Sequence, residues 1–212
     1  IDMNGNEVNL WAGLGGFPNK ILPGGYVMGT TGERGGKYAY QDQLDLVQVD
    51  YDGNIVWKFD HNELIADPGK EPTWQARQHH DYQREGNLLV FDNGGEGGYG
   101  NPNPSAPTGN NNAHRDYSRV LEFDPITLEI IWQYTPLEAG NLLFTDASKF
   151  YSSYISSAQR LPNGNTLITE GSDGHLIEVT PEHEIVWEYV NPYFKNIGGN
   201  FKMNMVYRAY RT

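Results

Sequence analysis

Apolar and polar residues alternate in short runs, and the runs stop at Gly, Pro, Asn or Asp. Such alternation bounded by turn residues predicts β-strands joined by tight hairpins. One pattern recurs three times. Val49-Asp50-Tyr51-Asp52-Gly53-Asn54-Ile55-Val56-Trp57 is the first copy. Phe123-Asp124-Pro125-Ile126-Thr127-Leu128-Glu129-Ile130-Ile131-Trp132 is the second, and Val179-Thr180-Pro181-Glu182-His183-Glu184-Ile185-Val186-Trp187 the third. Each is a β-rich run, an Asp/Pro/Gly turn and a second run ending in Trp, which reads as a hairpin. Ile1 to Trp11 is a looser fourth copy. A second pattern precedes the copies. It is clearest in Leu161-Pro162-Asn163-Gly164-Asn165-Thr166-Leu167-Ile168, and Arg84 to Val90 and Leu22 to Val27 match it.

Together the two patterns give four strands per unit, complete in the last unit at about 152–160, 165–170, 175–180 and 184–190. Four antiparallel strands repeated at roughly 40–50 residues are the pattern of a β-propeller blade. The expectation is an all-β, single-domain propeller over 1–212, with blades at about 17–60, 76–134 and 150–190. Residues 95–117, rich in Gly, Asn and Pro, read as a loop inserted in the second blade. Met203 to Tyr210 alternates like a strand and pairs with 1–11 in a closing blade shared by both termini, about four blades in all. A β-sandwich of hairpins satisfies the same periodicity.

Composition agrees with many turns and little helix. The chain has 25 Gly and 12 Pro in 212 residues, while 14 Tyr, 8 Phe and 5 Trp supply a core. Asp and Glu number 27 against 15 Lys and Arg, a formal charge of −12. An acidic chain without a basic stripe is a poor partner for phosphate backbones or anionic lipids, so nucleic-acid binding is excluded. No run of about 18 apolar residues predicts a membrane span. Ile1 opens directly into Asp2-Met3-Asn4-Gly5 with no signal-peptide pattern, so the sequence reads as a processed or excerpted one. The absence of cysteine rules out disulfides, thiolate nucleophiles and Cys-ligated metals.

Histidine is the informative residue type. His79-His80-Asp81 stands at a predicted strand start. In a propeller the first strand of a blade lines the central channel, and adjacent strand residues face opposite sides. One of the two imidazoles then faces the channel, where it acts as nucleophile or base once a group such as Asp81 fixes its tautomer. The plainer alternative is a hydrogen-bonded pair at a blade junction. His61, His114, His175 and His183 lie beside turns or in the polar insert and read as solvated. Arg119 and Arg160, on predicted strands, suit an anionic group such as sulfate or phosphate; pairing with one of the many carboxylates is equally open. No metal is expected, because neither HxH nor HExxH occurs and Asp50-Tyr51-Asp52-Gly53 reads as a hairpin turn lacking the Glu of a calcium loop. The Gly94 to Gly98 run lacks the Lys-Ser/Thr of a phosphate loop, and there is no GxSxG elbow.

Several segments resemble the bacterial arylsulfotransferases, the PQQ-independent enzymes that move sulfate between phenols. They are Ile1 to Gly5, Arg77-Gln78-His79-His80-Asp81-Tyr82 and Val90-Phe91-Asp92-Asn93-Gly94-Gly95. The match continues through Asp116-Tyr117-Ser118-Arg119-Val120-Leu121-Glu122, Ser156 to Leu167 and Val206-Tyr207-Arg208-Ala209-Tyr210. The resemblance implies a six-bladed propeller, usually exported to the periplasm or cell exterior. It implies a channel histidine that takes the sulfuryl group from a phenolic sulfate ester and passes it to a phenol, with no metal, nucleotide or other cofactor. His79 or His80 would be that nucleophile or a sulfate ligand, with Asp81, Arg119 and Arg160 as substrate-binding candidates. About two central blades of the family pattern, including its second Gln-His motif, are absent between Gly86 and Leu88. A shortened chain, a sequence from which stretches are missing, and a compact four-bladed ring all account for that gap. A non-catalytic propeller for binding or assembly is the alternative function.

Overall fold

The computed structural model describes residues 2–12, 14, 19–30, 46–59, 64–65, 73–74, 78–97, 113–127, 129–152, 155–199 and 201–211. At 30, 59, 64–65, 73–74, 78–85, 95–97, 113–115 and 143 the backbone alone is described. His61 and most of the predicted insert lie outside the described residues. The chain is all-β with almost no helix and divides into two compact units, residues 1–61 and 62–212.

The first unit holds one antiparallel sheet in the order β1-β2-β3-β4, with β1 at Lys20–Ile21, β2 at Val27–Thr30, β3 at Leu46–Val49 and β4 at Ile55–Phe59. Val27, Val47 and Val49 form its apolar cluster, covered by Trp11 and Leu14. The β3–β4 turn is built as its sequence predicts. Asp50 Oδ1 accepts the Asn54 amide, and Gly53 takes the positive φ that a side chain resists. Trp11 donates its indole N–H to the Asp50 carbonyl at 2.9 Å, anchoring the amino-terminal segment to this turn.

The second unit begins with a small hairpin, β5 (Leu64–Ile65) and β6 (Thr73–Trp74). Two four-stranded antiparallel sheets follow. One has the order β12-β11-β8-β7, from β7 (Gln78–Glu85), β8 (Asn87–Asp92), β11 (Arg119–Phe123) and β12 (Ile130–Tyr134). Hairpin β9 (Gly95–Gly97) and β10 (Ala113–Arg115) is inserted between β8 and β11. The other sheet has the order β13-β14-β15-β16, from Ser157–Arg160, Thr166–Glu170, His175–Val179 and Ile185–Val190. Between the sheets lies α1 (Leu143–Asp146), and β17 (Lys195–Gly198) pairs with β18 (Phe201–Met203) after them. These sheets fall inside the ranges 17–60, 76–134 and 150–190. Each is an open sheet.

Strand alternation decides which faces meet. On the first large sheet Leu89, Phe91, Val120 and Tyr134 share one face; on the second, Ala158, Ile168, Ile177 and Val179 do. These residues and Phe150 form one buried cluster, so the two sheets pack face to face. Removing a side chain of this size from water contributes roughly 1.5–3 kcal/mol. The contact has a polar border. Trp132 donates its indole N–H to Pro181 O at 2.9 Å, and Arg160 pairs with Glu122 while lying over the Trp132 ring.

The three sheets share one irregularity. Gln48 pairs with Trp57, Glu122 with Trp132 and Glu178 with Trp187, and in each case the ladder shifts at the next residue. The extra residue is a β-bulge, which bends the outer strand at the end of each turn.

Residues 204–211 form no strand, contrary to the expectation from their alternation. Among the described residues no strand pairs with them. They are held instead, as a strap, against the second large sheet on the face opposite the first. Val206 N–H donates to Gly171 O, Ser156 N–H to Tyr207 O and Ala209 N–H to Thr169 Oγ1, while Arg211 and Gln159 exchange two bonds. Arg211 also pairs with Glu178 and lies over Trp187, as Arg160 does with Glu122 and Trp132.

Candidate functional site

β8 ends, and β7 and β11 begin, at one end of the first large sheet; β14 ends, and β13 begins, at the same end of the second, joined by a buried polar network. Ser118 Oγ accepts the amides of Gly94 and Ser152 and donates to Ser152 O. Asn93 Nδ2 donates to Ser152 O and Ile155 O. Ser156 Oγ bonds Ser152 Oγ and accepts Gly171 N–H. Small hydroxyl and amide side chains suit such a place because each can satisfy several backbone groups in little volume.

Two residues here are strained. Ile155 has φ 53° and Ser156 φ 101°, both buried and neither glycine. Such conformations cost about 1–3 kcal/mol each and persist only where the surroundings over-determine them. Asn93, Ser152, Gly171 and the Tyr207 carbonyl are those surroundings. Gly171 fits because a Cβ there would meet Ile155, Val206 O and Ser156 N within 3 Å.

The expected site residues fall as follows. Gln78, Asp92 and Arg119 share one row across the first sheet, and His79 occupies the next row with Phe91, Val120 and Tyr134. Beyond His79 the ladder breaks: His80, Asp81 and Tyr82 stand opposite Val90 alone before pairing resumes at Gln83 and Leu89. The side chains of His79, His80, Asp81 and His114 are outside the described residues. Arg119 is fully buried, with Nε 2.8 Å from Asp92 Oδ2. Arg160 sits at the other end of β13, where it bonds Gly164 O and Thr166 Oγ1 and pairs with Glu122. The polar end thus unites Arg119 with the His79 position and leaves Arg160 apart.

Two histidines differ from the solvated reading. His183 lies in the β15–β16 turn at φ 72° and stacks on Trp132. His175 lies between two carboxylates, Nδ1 3.0 Å from Glu170 Oε2 and Nε2 2.8 Å from Glu188 Oε1. The Glu170 bond, aided by Glu188, raises the imidazole's pKa against the burial that lowers it. Burial pushes Glu170 itself up, opposed by the His175 bond and the Tyr151 amide. The Tyr134 hydroxyl is pushed up to about 12, chiefly by burial and then by Glu170, Glu138 and Glu188. Sequence reasoning missed Glu170 and Ser152, whose roles depend on strand ends brought together; Ser156 stood only inside the family string. Asp92 and Asn93 were visible only inside the family string.

No group of three His, Asp or Glu side chains among the described residues is arranged to hold a metal ion. No described helix is long and apolar enough to cross a membrane.

A solved structure of a protein of unknown function from Bacteroides caccae is similar at 13% identity and a TM-score of 0.36. The likeness covers 78% of this chain but only 42% of that one. No curated protein matches the sequence. The family model for arylsulfotransferase (ASST) matches residues 26–208, nearly the whole chain. The match takes in the His79-His80-Asp81 segment, the polar network and the strap as far as residue 208, and the chain belongs to the arylsulfotransferase family.

Proposed function

We propose that the protein transfers a sulfuryl group from a phenolic sulfate ester to a phenol, on a propeller scaffold in which the two large sheets are neighbouring blades. The family match over 26–208 carries this reading. The break in the β7–β8 ladder at His80 to Tyr82 supports it, since bulges of this kind re-aim side chains beside active sites.

In this reading the imidazole of His79 or His80 attacks the ester sulfur with its nitrogen lone pair. The S–O bond to the aryl group breaks, phenolate leaves and the sulfuryl group stays on nitrogen. The acceptor phenol then attacks the sulfur, loses its proton to a base, and releases the imidazole. Asp81 fixes the imidazole tautomer, and Arg119, in the row next to His79, is the cationic partner for the sulfate oxygens, a role that the separate position of Arg160 does not support. No cofactor is needed for these steps. The protein acts on small phenols in the periplasm or outside the cell.

The test is nitrophenolate release from p-nitrophenyl sulfate with phenol as acceptor. The wild type is expected to turn over, and H79A or H80A, whichever removes the nucleophile, to lose at least about a thousandfold in kcat. Turnover unaffected by either substitution sinks the assignment. No turnover in the wild type favours a non-catalytic binding module.

A further inference from the structure

Two tryptophans are covered by hairpin turns. Trp11 donates its indole N–H to Asp50 O, and its ring meets Tyr51 edge-on at 6.0 Å. Trp132 donates to Pro181 O, and its ring stacks on His183 at 5.5 Å. Each indole takes one carbonyl and one side chain from a turn. Trp187 repeats the surroundings of Trp132 in all but that cover. Glu178 stands opposite it as Glu122 stands opposite Trp132. Arg211 lies over its ring as Arg160 lies over Trp132, and Tyr189 stacks on it as Tyr134 stacks on Trp132. Tyr134 is 2% exposed, within the shared core, whereas Tyr189 is 41% and Trp187 38% exposed. Among the described residues no group accepts the Trp187 indole N–H.

The amino-terminal turn is the counterpart that such an indole lacks. Asp2 to Asn6 reproduces Asp50 to Asn54 bond for bond. Asn6 N–H donates to Asp2 Oδ1 and Asn6 Nδ2 to Oδ2, both at 2.8 Å, against 2.8 and 2.9 Å in the other turn. Gly5 and Gly53 take φ 84° and 86°, and each donates to the carbonyl of its aspartate at 3.1 Å. Asp50 O also accepts the Trp11 indole, while among the described residues no indole reaches Asp2 O. Met3, in the place of Tyr51, is fully exposed. A thioether packs favourably against an aromatic ring. The chain therefore carries an indole without its turn and a turn without its indole, and both are exposed in a single copy.

We propose that the Asp2–Asn6 turn of one copy caps Trp187 of a second copy, with Asp2 O accepting the indole N–H and Met3 lying on the ring. The contact is head-to-tail, so it closes in a ring of copies or runs on as a chain. Sedimentation velocity of the full chain over a wide range of concentrations tests it, with thermal melts confirming that each variant is folded. The wild type is expected to gain mass with concentration. Met3→Glu, at a fully exposed position, is expected to weaken association about tenfold, and Trp187→Ala about a hundredfold. The two variants have opposite defects. Mixed, they regain one contact, between the intact turn of the Trp187→Ala chain and the intact indole of the Met3→Glu chain, and are expected to form heterodimers. Met3→Glu decides the matter should Trp187→Ala not fold. A wild type that is monomeric at every concentration overturns the proposal, as does a folded variant that associates as the wild type does. A mixture of folded variants that gains no mass overturns it too.

Discussion

An imidazole with a carboxylate on each nitrogen can donate to both only as the cation. His175, between Glu170 and Glu188, is in that position, and its pKa is raised. The stabilisation is therefore complete below the unfolded value of about 6.5 and is lost as pH rises through the higher folded value. The Tm difference between wild type and H175Q should be largest near pH 6 and shrink toward pH 9, by a few degrees in a chain of this size. A difference constant with pH overturns this account. The Asp92–Arg119 pair is a second ion pair, fully buried. D92N removes the carboxylate charge that faces Arg119 Nε in the interior and should cost about 3–5 kcal/mol by urea denaturation. Arg119 was legible as a strand arginine with two possible fates. Its burial was not, because that depends on Asp92, distant in sequence and paired across the ladder. His175 was misread for the same reason: Glu188 reaches it only through the β15–β16 register.

At the scale of elements, the strap shows how a segment is held without a ladder. Gly174 sits at φ 61°, and a Cβ there would come within 2.2 Å of Asn204 O. Asn191 and Asn204 exchange side-chain bonds at the same spot. G174A is expected to lift the strap and open residues 204–211 to limited proteolysis, detected by mass spectrometry. G86A, at φ 95° with open space around it, should cost only backbone strain and leave the strap protected. The hairpins were legible because Asp, Asn and Gly fix turn geometry within a few residues. The strap was not, since alternation predicts a strand and says nothing of whether a neighbour exists to pair with it.

On the scale of the whole molecule, the two large sheets of residues 62–212 share one core. F91A removes a ring that packs edge-on against Phe150 within that core. It should cost about 3–5 kcal/mol and destabilise both sheets together, so that hydrogen exchange accelerates in β14 and β15 as much as in β8. Acceleration confined to β8 would show the sheets to be independent. The four-strand units were legible from periodicity, and the family from ordered motifs; how the sheets meet was not, because it is set by which alternate rows carry the large apolar side chains.

The outermost strand of the second sheet carries a hazard of its own. Every residue of Ile185-Val186-Trp187-Glu188-Tyr189-Val190 is exposed, and Glu188 supplies its only charge. A hexapeptide so rich in β-formers is a template for cross-β stacking, and one carboxylate is its gatekeeper. The glutamate that clasps an imidazole thus also keeps neighbouring molecules from zipping together, and a neutral residue in its place should let the protein seed fibrils.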